Sequence, residues 1–154
     1  MTIQICPIKW LYQTLAEGPT GKCGAIISSS SKIDTAKLFG IFYVFRQYED
    51  LDYECPGRSF SQMDATAFAD FVKNLEADVL YCCDAGESRS PAVAVAVMRY
   101  FGLDDMQVWQ NPHYHPNMLV FAMLMDAFNL SISDEEKDYL LYANQRAFRD
   151  AIRK

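Results

Sequence analysis

Basic residues are in short supply. The 154 residues carry 14 Lys and Arg against 20 Asp and Glu, a formal net charge of −6. Nucleic acid and anionic membrane surfaces both call for clustered Lys and Arg, so neither is expected as a partner. Histidine is scarcer still, with only His113 and His115. No C-x2-C pair exists, and neither histidine has a cysteine at zinc spacing, so no metal site is expected. The cysteines (Cys6, Cys23, Cys55, Cys82 and Cys83) are odd in number and lack the spacing of a disulfide framework, which favours a reducing compartment. Long apolar runs are also missing. Stretches such as Leu119 to Met125 fall far short of the roughly 20 residues a membrane span needs. Met1 to Pro7 has no basic n-region and no long apolar core. A soluble cytoplasmic protein is the expectation. There is no internal repeat, linker or low-complexity tract, and the length suits one domain over residues 1–154 better than two.

What the chain does have is concentrated in one stretch, Val79-Leu80-Tyr81-Cys82-Cys83-Asp84-Ala85-Gly86-Glu87-Ser88-Arg89-Ser90-Pro91-Ala92. Val79 to Cys82 is a short apolar run suited to a central parallel strand covered on both faces. Gly86 can take backbone angles closed to other residues. Ser88 or a neighbour can cap a helix, with Pro91 in its first turn. A loop that feeds a helix N-terminus aims backbone N–H groups inward and makes an anion site. A cysteine at its base feels the same positive field, which favours the nucleophilic thiolate. An arginine at the far end offers a planar fork of donors that fits two phosphate oxygens. A buried core cysteine is the bland alternative for Cys83. The strand, glycine, serines and helix start around it weigh against that alternative.

The Cys83-x5-Arg89-Ser90 loop resembles that of the cysteine-dependent protein tyrosine phosphatases. The run Ala85-Gly86-Glu87-Ser88-Arg89-Ser90 is most similar to the dual-specificity branch. Pro116-Asn117 resembles the Pro-Asn pair that opens the helix after the catalytic helix in that branch. The likeness is sharp from about Val79 to Phe128, moderate from Leu38 to Leu75, and absent earlier. It implies hydrolysis of phosphotyrosine, with phosphoserine and phosphothreonine left open, on a phosphorylated protein or peptide. Cys83 would attack phosphorus, and Arg89 with the amides of Asp84, Ala85, Gly86, Glu87 and Ser88 would hold the phosphoryl oxygens. Ser90 would hydrogen-bond the sulfur, Asn117 would brace the phosphate loop, and no cofactor would be needed. In that family a loop aspartate after the preceding strand protonates the leaving group. The acidic loop in that place holds Glu49, Asp50, Asp52 and Glu54, and Asp50 is the first choice, Asp52 the second. For Asn117 a simple capping role stands beside the bracing one. Two departures stand out: Cys82 replaces the usual His before the nucleophile, and Glu87 puts negative charge at the mouth. The second argues against strongly anionic substrates such as polyphosphoinositides. The rival readings are a pseudophosphatase that binds phosphoproteins without turnover, and a sulfurtransferase or arsenate reductase with a comparable anion loop.

Around this stretch the pattern is βαβ. Residues 2–8 and 23–27 read as short strands, and a helix over 9–17 ends at Gly18-Pro19. The serine run 28–31 reads as a polar connection. Leu38 to Phe45 is the strongest strand of the first half, followed by the acidic loop. Ser61-Gln62-Met63-Asp64 is a capping box opening a helix with Phe68, Phe71, Val72 and Leu75 at helical spacing. Ala92 to Met98 reads as a buried helix, as does Met118 to Phe128. Ser133 to Glu136 opens a last helix with Leu141, Phe148 and Ile152 on its apolar stripe. His113 and His115 read as capping or surface groups. The expected fold class is α/β, a mainly parallel sheet of four to five strands flanked by helices, with the site at the carboxyl ends of the strands.

Overall fold

The computed structural model describes residues 1–17, 23–29, 31–38, 40–75 and 78–154. Four strands, β1 (Ile3–Pro7), β2 (Cys23–Ser28), β3 (Ile41–Val44) and β4 (Asp78–Cys83), form one all-parallel sheet in the order β1-β4-β2-β3. Helices α1 (Leu11–Glu17), α2 (Gln62–Val72), α3 (Arg89–Tyr100), α4 (Met106–Trp109), α5 (Met118–Ala127) and α6 (Asp134–Ile152) complete this α/β fold. Pro7 and Ser28 both lie opposite Cys83 in register. Three carboxyl ends therefore meet at the start of the anion loop, where the open-sheet rule puts a ligand.

β4 is the second strand of the sheet and is covered on both faces, as its apolar run implies. Side chains alternate along a strand. Val79 and Tyr81 join the larger core with α2, α3 and α5, while Leu80 and Cys82 join a smaller cluster with Leu11, Ile27 and Leu38. α3 is buried from Arg89 to Met98, which explains its lack of any polar face. Burial of Val93, Val95 and Val97 contributes roughly 1.5–3 kcal/mol each. α2 opens with the reciprocal capping box: Ser61 accepts from the Asp64 amide, and Asp64 accepts from the Ser61 amide.

Several elements differ from the sequence expectation. β3 spans only Ile41–Val44 rather than 38–45, because β2 offers it partners only from Gly24 to Ile27. As an edge strand it leaves Ile41, Phe42 and Val44 exposed. The first helix is preceded by a 3-10 turn at Ile8–Trp10. Its expected stop at Gly18-Pro19 lies outside the described residues. α4 had no periodic signature in the sequence. In α6 the buried side chains are Leu140 and Asn144, whereas Phe148 and Ile152 are exposed. The expected stripe flanks the packed face: Leu141 is half-buried and Phe148 meets the His115 ring edge-on at 5.4 Å, while Asn144 is drawn inward by donating to the carbonyls of Trp109 and Tyr114. Among the described residues no helix is long and apolar enough to cross a membrane.

Candidate active site

The alternation along β4 separates its two terminal cysteines. Cys82 faces the small cluster, against which Cys6 packs, and its thiol donates to the Ile26 carbonyl at 3.7 Å. The neighbouring Cys6 thiol and then burial push the Cys82 thiol up, while Cys82 draws Cys6 down. Cys82 is thus held as a neutral thiol behind the loop. Cys83 is buried at the base of α3, with its Sγ 3.1 Å from the Ser90 Oγ. A Ser90 hydroxyl that donates to the sulfur would steady negative charge on it.

The loop that follows is fixed at both ends. Gly86 has φ +73°, and a Cβ there would lie 2.5 Å from the Pro7 nitrogen and 2.6 Å from the Cys6 carbonyl carbon. Only glycine meets both demands. From the other side, the His115 amide donates to the Glu87 carbonyl at 2.7 Å and the Asn117 amide donates to the Ser88 carbonyl at 3.2 Å. Asn144 on α6 anchors that supporting segment through the Tyr114 carbonyl. Ser88 occupies the N-cap position of α3, yet its hydroxyl makes no cap hydrogen bond. It donates instead to Asp50 at 2.9 Å. Ala85 and Glu87 point outward and are exposed.

Arg89 is only 7% exposed. Its Nη1 donates to the Tyr48 carbonyl at 3.0 Å and its Nη2 to Asp84 Oδ2 at 2.7 Å. The guanidinium also lies 5.8 Å from the centre of the Tyr48 ring. Burial opposes its charge, but the Asp84 hydrogen bond and the neighbouring Cys83 and Asp84 outweigh burial and keep it cationic. Its Nε is buried with no protein partner among the described residues. A buried donor left unpaired costs about 1–3 kcal/mol, so this atom asks for an acceptor.

Asp50 is tied to the loop and to α5. Its Oδ1 accepts from Ser88 Oγ at 2.9 Å and from Asn117 Nδ2 at 2.8 Å. The same Asn117 nitrogen donates to the Leu51 carbonyl at 2.9 Å, and Asn117 Oδ1 accepts from the Val120 amide at 3.1 Å. The side chain of Asn117 therefore caps α5 and braces the acidic loop, while its backbone braces the phosphate loop. Glu49 is committed elsewhere: its 2.6 Å ion pair with Arg58 holds its carboxyl below the usual range. Asp52 and Glu54 are exposed.

The structure thus brings together Cys83, Asp84, Gly86, Ser88, Arg89, Ser90, Asp50 and Asn117, and gives Asp52 no hydrogen bond to them among the described residues. It also adds residues that sequence reasoning missed. Tyr48 holds Arg89 by its carbonyl, and its phenol and the Ser28 hydroxyl are hydrogen-bonded. Ser29 donates to Asp84 Oδ1, as does Ser31 at 3.3 Å. Ser28 and Ser29 are therefore part of the site rather than a plain polar connection; Ser30 lies outside the described residues. The signal was available in part. A strand that precedes a serine run, and neighbours the nucleophile's strand, ends at the same edge of the sheet.

The geometry defines an α/β protein with a cysteine and an arginine on one strand–loop–helix turn. No family model and no curated protein matches the chain. Among solved structures, human DUSP28 is similar, with a TM-score of 0.48 and 15% identity over 97% of this chain and 94% of that one. A variant of human DUSP28 with one tyrosine replaced by histidine is similar at a TM-score of 0.42 and 17% identity, over 91% and 85% of the two chains.

Proposed function

We propose that this chain is a cysteine-dependent protein phosphatase that hydrolyses phosphotyrosine through a phosphocysteine intermediate. The observation that carries this reading is the buried Arg89, held at Nη1 and Nη2 with Nε unpartnered, on the same turn as a Cys83 sulfur 3.1 Å from a hydroxyl. That combination joins a soft nucleophile to a preset anion donor.

In the first step the Cys83 thiolate forms an S–P bond as the P–O ester bond breaks. The Asp50 carboxyl gives its proton to the departing oxygen. Arg89 and the loop amides carry the charge on the equatorial oxygens, which is the main catalytic effect in phosphoryl transfer. In the second step water attacks phosphorus and passes a proton to the Asp50 carboxylate. The S–P bond breaks, inorganic phosphate leaves, and the thiolate returns under the Ser90 hydroxyl.

The test is phosphate release from p-nitrophenyl phosphate and from a phosphotyrosine peptide. Cys83→Ser is expected to lower turnover about a thousandfold or more while orthovanadate still binds, and Cys82→Ser is expected to keep most activity. A dead Cys82→Ser beside an active Cys83→Ser would overturn the assignment. Peptide binding without any phosphate release by the unaltered chain would favour a non-catalytic phosphoprotein-binding module.

A further inference from the structure

The loop contains a carboxylate that the mechanism does not use. Asp84 directly follows the nucleophile, inside a cradle meant for an anion, where negative charge weakens binding of a phosphoryl dianion. Its contacts are specific. Oδ2 accepts from Arg89 Nη2 at 2.7 Å, and Oδ1 accepts from the hydroxyls of Ser29 and Ser31, on a different stretch of chain. The Ser29 hydroxyl in turn accepts from the Ser31 amide at 2.9 Å. Asp84 is thus anchored to the carboxyl end of β2 on one side and grips the guanidinium on the other.

We propose that Asp84, seated on Ser29, is a positioning residue that pins the Arg89 guanidinium in place before a phosphoryl group arrives. The inference rests on the phosphatase reading above. A free arginine side chain samples many rotamers, and a displacement of about 1 Å at a reacting centre can cost a hundredfold in rate. The Tyr48 carbonyl fixes one terminal nitrogen and Asp84 the other. Two attachments define the plane of the fork before substrate arrives, which one alone does not. The repulsion between Asp84 and a bound dianion is the cost of that order, and it is reduced because the carboxylate already accepts three hydrogen bonds.

The measurement compares Asp84→Asn, Asp84→Ala and Ser29→Ala with the unaltered chain. It reads kcat and KM on p-nitrophenyl phosphate and the dissociation constant of orthovanadate, with thermal unfolding to establish folding. Asn keeps an oxygen acceptor for Arg89 and Ala does not. Both readouts are therefore expected to worsen in the order wild type, Asn, Ala, with a loss of about tenfold or more in kcat/KM for Ala. Ser29→Ala is expected to fall between wild type and Asp84→Ala, and to add nothing in the double variant, because both act through one contact. If Asn and Ala bind vanadate as tightly as wild type or more tightly, Asp84 is a competitor of the anion and the proposal is overturned. Additive effects of the Ser29 and Asp84 substitutions would also overturn it. Should Asp84→Ala not fold, Asp84→Asn and Ser29→Ala decide by themselves. If the unaltered chain binds vanadate but releases no phosphate, the phosphatase reading fails, and the vanadate series still tests the clamp.

Discussion

At the scale of single residues, the site is governed by who holds whom. Asp50 is tied to Ser88 on the loop and to Asn117 on α5, whereas Asp52 has no comparable tie among the described residues. Removal of a general acid hurts most where the leaving group is poor, because that oxygen needs the proton. Asp50→Asn is expected to slow phenyl phosphate far more than p-nitrophenyl phosphate and to remove the high-pH fall of kcat/KM, while Asp52→Asn changes neither. The leaving-group dependence appearing only in Asp52→Asn would transfer the role. In the sequence the proposed acid stood as a choice between Asp50 and Asp52, from the position of the acidic loop after a strand. What separated them was not legible: the two hydrogen bonds join positions 38 and 67 residues apart in sequence.

At the scale of elements, β4 combines apolar packing with one misfit. Tyr81 is fully buried in the main core and its hydroxyl has no partner among the described residues. Burial pushes its pKa up, away from the ordinary value near 10. A group whose pKa rises on folding contributes stability that is complete below its unfolded value and lost as pH climbs past it. Tyr81→Phe removes both the unpaired hydroxyl and this titration. It is expected to raise stability by about 1 kcal/mol near neutral pH and to flatten the loss of stability above pH about 10, as measured by urea unfolding across pH. A destabilised Tyr81→Phe would mean the hydroxyl has a partner after all. The elements themselves were read unevenly, for physical reasons. β4, α2, α3 and α5 announce themselves because their apolar pattern or caps are local. β3 shortened because its length is set by β2. The most buried face of α6 is offset from the apolar stripe because Asn144 bonds to a distant backbone, and no periodicity reports that.

At the scale of the whole molecule, the balance of charge says which substrates approach. The net charge is −6, exposed Glu87 lies on the loop itself, and the buried Arg89 is already paired with Asp84. Phosphotyrosine peptides with Lys or Arg beside the phosphoresidue are therefore expected to have a lower KM than acidic-flanked ones. The difference should shrink at about 1 M salt, where charges are screened beyond roughly 3 Å. Equal KM values for the two peptide sets at low salt would show that the acidic rim plays no part in selection.

The meeting of Gly86 with the Cys6–Pro7 backbone has a consequence in time as well as in space. The floor beneath the phosphate loop comes from β1, which joins β4 across a separation of about 76 residues, as in the contact from the Thr2 amide to Asp78. Such a closure is entropically slow compared with the winding of α3 or α5. A newly made chain can therefore hold α3 before it holds the loop that precedes it, and the Cys83–Arg89 turn is complete only when β1 has found its place beside β4.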